Sequence, residues 1–115
     1  MSTESQALLR RDCPGRVLLD HITGKWGILV LTSLTEGPLR FHQLRAGIEG
    51  VSDKMLTQTL RTFASDGLVE RTVLPTAPPS VVYELTELGA EAARELEPFL
   101  RCVRATASAG VAVRV

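Results

Sequence analysis

Residues 52–74 read SDKMLTQTLRTFASDGLVERTVL, a helix and then a strand. Ser52 is a favoured N-cap residue, and Asp53 puts a carboxylate where the helix dipole is positive. Val51 and Leu56 stand at the two positions of a hydrophobic staple around that cap. Leu56, Leu60 and Phe63 recur at helical spacing and make one apolar stripe. Asp66-Gly67 closes the helix, because glycine takes the left-handed conformation of a helix end without strain. The spacing therefore predicts a helix from about Asp53 to Ser65. Its opposite face carries Lys54, Thr57, Gln58 and Arg61. The pattern then turns β-branched and partly alternating over Leu68–Leu74, and again over Val81–Leu85. Pro75, Pro78 and Pro79 lie between the two runs. Proline donates nothing to a strand ladder, so this stretch is the tip of a β-hairpin.

Upstream, Phe41, Leu44 and Ile48 are spaced i, i+3, i+7 and give a one-face helix from about Arg40 to Ala46. Gly47 and Gly50 join it to the helix after Ser52, which makes a helix-turn-helix unit. Trp26–Leu34 is apolar on almost every side and reads as a buried central helix, with a buried strand as the alternative. Trp26 itself reads as a core anchor. Gly37-Pro38 ends that segment. Earlier still, Pro14 suits the first position of a short helix bearing Val17, Leu18 and Ile22. Downstream, Thr86 caps a last helix with Leu88, Ala92, Leu96, Phe99, Leu100 and Val103 along one face, and Pro98 predicts a kink inside it.

A two-stranded hairpin needs helices beneath it to be stable. The order of elements therefore predicts an α+β fold, mostly α. It is a winged helix-turn-helix with a two-stranded β-hairpin wing and terminal dimerisation helices. Residues 1–12 read as a flexible N-terminal arm and 109–115 as a flexible tail. Residues 13–108 read as one domain, with its dimerisation helix at about 87–108. The face formed by Leu88, Leu96, Phe99, Leu100 and Val103 is too long for so small a core. It is expected to pack on a second copy, helped by Val17, Leu18 and Ile22; burial within one chain is the alternative.

Several function classes are disfavoured. Thirteen basic residues balance thirteen acidic ones, so nucleic-acid binding has to come from local placement of charge. The first residues lack a signal-peptide apolar stretch, and the longest apolar run, Ile28–Leu31, is too short for a bilayer. The expectation is a cytoplasmic protein without a membrane partner. Cys13, Cys102, His21 and His42 are scattered, so neither a metal nor another cofactor is expected. No Gly-x-Ser-x-Gly, His-Glu-x-x-His or phosphate loop is present, which argues against an enzyme.

Cys13-Pro14, Gly24-Lys25-Trp26 and Gly37-Pro38-Leu39-Arg40-Phe41 resemble the HxlR-type winged-helix regulators. So do Ser52-Asp-Lys-Met-Leu-Thr-Gln-Thr-Leu-Arg61, Asp66-Gly-Leu-Val-Glu-Arg71, Pro78-Pro79 with Val82-Tyr83, and Leu85-Thr-Glu-Leu-Gly89. The resemblance runs from about Cys13 to Val103; the Leu-Thr-Glu-Leu-Gly block also occurs in MarR-like winged helices. It implies a transcriptional regulator, repressor or activator, that binds double-stranded DNA as a homodimer through terminal helices. An inverted-repeat operator follows from such symmetry.

On that reading, the helix after Ser52 enters the major groove. Gln58 can pair with adenine and Lys54 or Arg61 with guanine, while Thr57 meets a thymine methyl or a phosphate. Ser52 and the helix N-terminus can meet phosphate. Arg40, His42 and Arg45 are candidate phosphate contacts from the preceding helix. Arg71 is another from the wing, with pairing to Glu70 or Glu84 as its alternative. Ser80 stands where the family's wings commonly carry a basic residue, leaving Thr76, Ser80 and backbone N–H groups as donors. From the residues alone, a solvated helix face is the competing reading, and a winged helix used for protein docking is the rival function.

Cys13 falls at the cap of the first helix, near Arg10, Arg11 and Arg16, with Asp12 opposing their charge. Some members of the resembled family sense oxidants or electrophiles through a cysteine here. A disulfide between Cys13 and Cys102 of a second subunit is one such outcome. An inert Cys13 and a buried Cys102 are the alternatives. A small-molecule effector at the dimer interface has no residue signature.

Overall fold

The computed structural model describes residues 7–110; the expectations for residues 1–6 and 111–115 lie outside it. The elements run α1 (Pro14–Thr23), α2 (Gly27–Ser33), β1 (Leu39–Arg40), α3 (Phe41–Gly47), α4 (Asp53–Asp66), β2 (Val69–Leu74), β3 (Ser80–Leu85) and α5 (Glu87–Ser108). The fold is an α+β winged helix-turn-helix.

Local chemistry sets the ends of α4. The Ser52 hydroxyl accepts a hydrogen bond from the Met55 N–H at 3.1 Å. At the other end Gly67 has φ 79°. The Gly67 N–H donates to the Ala64 carbonyl and the Leu68 N–H to the Phe63 carbonyl, the paired closure of a Schellman motif. The chain leaves that motif directly into β2. The stripe of α4 is inside as expected, with Leu56, Leu60 and Phe63 at 0–2% exposure.

β2 and β3 form the expected hairpin, in register from Val69 opposite Leu85 to Leu74 opposite Ser80. The sheet also has a third strand. β1 pairs antiparallel with β3, Leu39 opposite Tyr83 and Arg40 opposite Val82, so the strand order is β1-β3-β2. Two residues carry no periodicity, so this strand is visible only once β3 is beside it. Arg40 accordingly lies on β1 and serves as the N-cap of α3, rather than on the helix itself; its N–H donates to the Gln43 side chain at 2.8 Å.

The core is apolar, with no buried polar or charged side chain among the described residues. Val30 and Leu31 of α2, with Leu34 after it, pack with Leu44, Ile48, Val51, the α4 stripe, Leu68 and Val69. Trp26 is half-buried against this cluster. Leu29 stays exposed, so α2 is central without being enclosed on every side. His21 Nδ1 lies 2.8 Å from an Asp66 carboxylate oxygen and ties α1 to the end of α4.

α5 begins on the turn that ends α4. The Thr86 hydroxyl accepts from the Gly89 N–H at 3.0 Å and donates to the Gly67 carbonyl at 2.5 Å. The helix then runs on as one element through Pro98. Leu96 still touches the core, whereas every residue from Arg101 to Gly110 is exposed. No described helix is long and apolar enough to cross a membrane.

Candidate nucleic-acid interface

Burial of the α4 stripe decides what the helix shows outside. Lys54, Gln58 and Arg61 are exposed, and Thr57 is half-exposed beside them. These four line one hollow of about 570 Å³ with Asp53 and Thr62. A second hollow of about 270 Å³ lies between α4 and the sheet, lined by Thr57, Arg61, Arg71 and Tyr83 among others. Thr57 and Arg61 belong to both. The structure therefore joins Lys54, Thr57, Gln58, Arg61 and Arg71 into one continuous surface. Arg71 stands opposite Tyr83 in the hairpin register.

The cations on this surface stand outside ion pairs. Among the described residues, Lys54, Arg61 and Arg71 have no ion-pair partner, so Arg71 is bound to neither Glu70 nor Glu84. Arg45 differs. Its guanidinium forms an ion pair with Asp53, bridging the turn between α3 and α4. Both side chains are more than half exposed, so the pair is worth at most about 1 kcal/mol. Its importance is positional, because it holds a carboxylate beside Lys54 in the larger hollow.

Other sequence-selected residues are placed less centrally. Arg40 and His42 are exposed at the start of α3, and Ser52 is engaged in capping α4. Ser80 is half-buried at the far end of the hairpin, its hydroxyl 3.1 Å from that of Thr76. The surface also takes in residues that the sequence does not assign to it, among them Asp53, Thr62, Ala64 and Tyr83. Helical spacing carried a signal for two of them, since Asp53 lies four residues before Thr57 and Thr62 four after Gln58.

Of the residues expected at a dimer interface, Val17, Leu88, Phe99 and Val103 are exposed. Leu18, Leu96 and Leu100 are half-buried, and the first two pack against the core. Cys13 is half-buried as the N-cap of α1, without a side-chain cap hydrogen bond, and Cys102 is exposed on α5 rather than buried, because the helix has already run past its core contact at Leu96. Both are free thiols.

A family model described as HxlR-like helix-turn-helix matches residues 21–109. Over 89 residues the chain is 44% identical to the helix-turn-helix-type transcriptional regulator YtfH of Escherichia coli, covering 77% of this chain and 71% of that protein. The solved structure of the redox regulator HypR in its oxidized form aligns with TM-score 0.70 and 35% identity, over 88% of this chain and all of that one. The reduced form of the transcriptional regulator YodB from Bacillus subtilis aligns with TM-score 0.66 and 32% identity, over 81% of this chain and 88% of that one. The hollow along α4 thus sits on the second helix of a helix-turn-helix, and the chain belongs to the HxlR-like helix-turn-helix family as a transcriptional regulator.

Proposed function

We propose that this regulator binds double-stranded DNA sequence-specifically as a homodimer, with α4 in the major groove and the β2–β3 hairpin against the flanking backbone. One observation carries the reading. The polar face of α4 and Arg71 of the hairpin form one surface whose Lys54, Arg61 and Arg71 lack acidic partners among the described residues. Lys54, Gln58 and Arg61 supply donors suited to base edges, Thr57 supplies a methyl and a hydroxyl, and Arg71 supplies a phosphate contact. Arg40, His42, Ser52 and Ser80 are further backbone contacts. The apolar side chains of Leu88, Phe99 and Val103, with Val17, form the dimer face.

Selection of random duplexes by the reduced protein tests this reading, followed by fluorescence anisotropy across a salt series. An inverted repeat with half-sites about 34 Å apart is expected. Roughly eight phosphate contacts give a log–log salt slope near −7. Equal, weak binding to the selected duplex and a scrambled one would remove the specific-DNA reading and favour protein docking.

A response to oxidants is a second part of the proposal, favoured by the likeness to the redox regulator HypR and by two free thiols. Cys13 and the partner's Cys102 would lose two protons and two electrons to a thiol oxidant such as diamide and form one intersubunit disulfide. Diamide treatment should then produce a covalent dimer on non-reducing gels, absent in Cys13→Ser.

A further inference from the structure

A helix lying in the major groove has a phosphate backbone on each side, and cations on both flanks hold it there. Successive residues of α4 are turned by 100°, so its flanks are distinct. Thr57, Arg61 and Ala64 face the sheet, where Arg71 waits. Met55, Gln58, Thr59 and Thr62 face the other way, toward the turn between α1 and α2. That second flank has a hollow of about 190 Å³, completed by His21, Gly24, Lys25 and Trp26. Gln58 and Thr62 line both this hollow and the larger one on the exposed face of α4, so the two surfaces are continuous.

Two basic side chains line this flank. His21 is already engaged by Asp66 at 2.8 Å. Lys25 is exposed and has no ion-pair partner among the described residues. Its Nζ sits 5.0 Å from the centre of the Trp26 ring, within range for a cation held over an indole face. Trp26 is in turn fixed by packing on the core. The ammonium is thus held beside α4, with no carboxylate among the residues that line the hollow.

We propose that the Gly24-Lys25-Trp26 turn is a binding site for a DNA phosphodiester, in which Lys25, steadied by Trp26, grips the backbone on the flank of α4 opposite Arg71. The site rests on the DNA-binding reading above and completes it. Arg71 and Lys25 straddle α4, one for each strand bordering the groove. A phosphate contact carries no base information, so Lys25 contributes affinity and register without selectivity.

The experiment compares the full chain with Lys25→Gln and Lys25→Arg on the selected duplex and on a scrambled one, across a potassium chloride series. Lys25→Gln should flatten the salt slope by about 1 per protomer. At 0.15 M salt that corresponds to about a fivefold loss of affinity per protomer, equal on both duplexes. Lys25→Arg should restore the wild-type slope, and circular dichroism should show all three chains folded. An unchanged slope in Lys25→Gln, with only its melting temperature lowered, would reduce Lys25 to a lid on Trp26 and overturn the site. Loss confined to one base pair would overturn it too, since it would make Lys25 a base reader. Failure of the wild-type chain to bind either duplex would remove the underlying reading instead, and the site with it.

Discussion

Gly89 packs so closely on Leu68 that a Cβ added to the glycine would meet the Leu68 carbonyl oxygen at 2.0 Å. The oxygen belongs to the backbone and already accepts from the Thr86 N–H at 3.0 Å, so it cannot swing aside. Gly89→Ala is therefore expected to destabilise the chain by about 3 kcal/mol, the upper part of the range for overpacking. Gly47 is the control, since nothing lies within 4 Å of its Cβ position and it is helical. Gly47→Ala should stabilise by about 0.5–1 kcal/mol. Urea unfolding of the two variants should move in opposite directions from wild type.

Two hydroxyl caps should differ in cost. The Ser52 hydroxyl satisfies the Met55 N–H alone, so Ser52→Ala should cost about 1 kcal/mol. Thr86 caps α5 and also donates to the Gly67 carbonyl, joining two helix ends. Thr86→Ala should cost about 2 kcal/mol, and Thr86→Ser should recover most of it. Equal costs would mean that the Gly67 contact contributes nothing.

The double change Lys54→Ala with Arg61→Ala should abolish selective DNA binding. Both side chains are exposed, so stability should stay within about 0.5 kcal/mol of wild type. Retained selectivity by anisotropy would show that α4 is not the reading element.

Asp53 opposes the cations around it and occupies Arg45. In Asp53→Asn one negative charge leaves the surface and Arg45 is released to phosphate. Affinity should rise for every duplex, with a salt slope steeper by about 1 per protomer. If preference at a single base pair disappears instead, Asp53 accepts a hydrogen bond from a cytosine amino group.

Phe99 is 55% exposed on the part of α5 beyond the core contact at Leu96. Phe99→Glu places a carboxylate in the proposed dimer face without touching the core. An unpaired buried charge costs about 3 kcal/mol or more, a loss exceeding roughly 100-fold in dimer affinity. Sedimentation should show monomer where wild type is dimeric, and the unfolding midpoint should lose its dependence on protein concentration.

Legibility followed locality. The start and end of α4 were readable because Ser52, Asp66 and Gly67 act on atoms within a turn of themselves. The hairpin was readable because its strands are β-branched and partly alternating and its prolines mark the tip. β1 was not, since Leu39 and Arg40 become a strand only against Tyr83 and Val82, far along the chain. The Arg45–Asp53 pair was equally hidden, because the geometry of the intervening turn decides whether the two charges meet. Lys25 stands in the Gly24-Lys25-Trp26 block with no role legible from its neighbours, since its relation to α4 depends on how α1 and α2 pack against that helix.

The short β1 strand has a mechanical consequence. It fastens the start of α3 to the middle of the hairpin, while Leu68 fastens the end of α4 to the hairpin's base. The helix pair and the wing are thereby two jaws of one caliper with a fixed opening. Such a caliper does not stretch to follow a wider or narrower groove. In the proposed homodimer, tolerance of different half-site spacings then has only one source, the joint between two calipers. A signal that alters stiffness along α5 would therefore change which operators are tolerated, while each half-site is read as before.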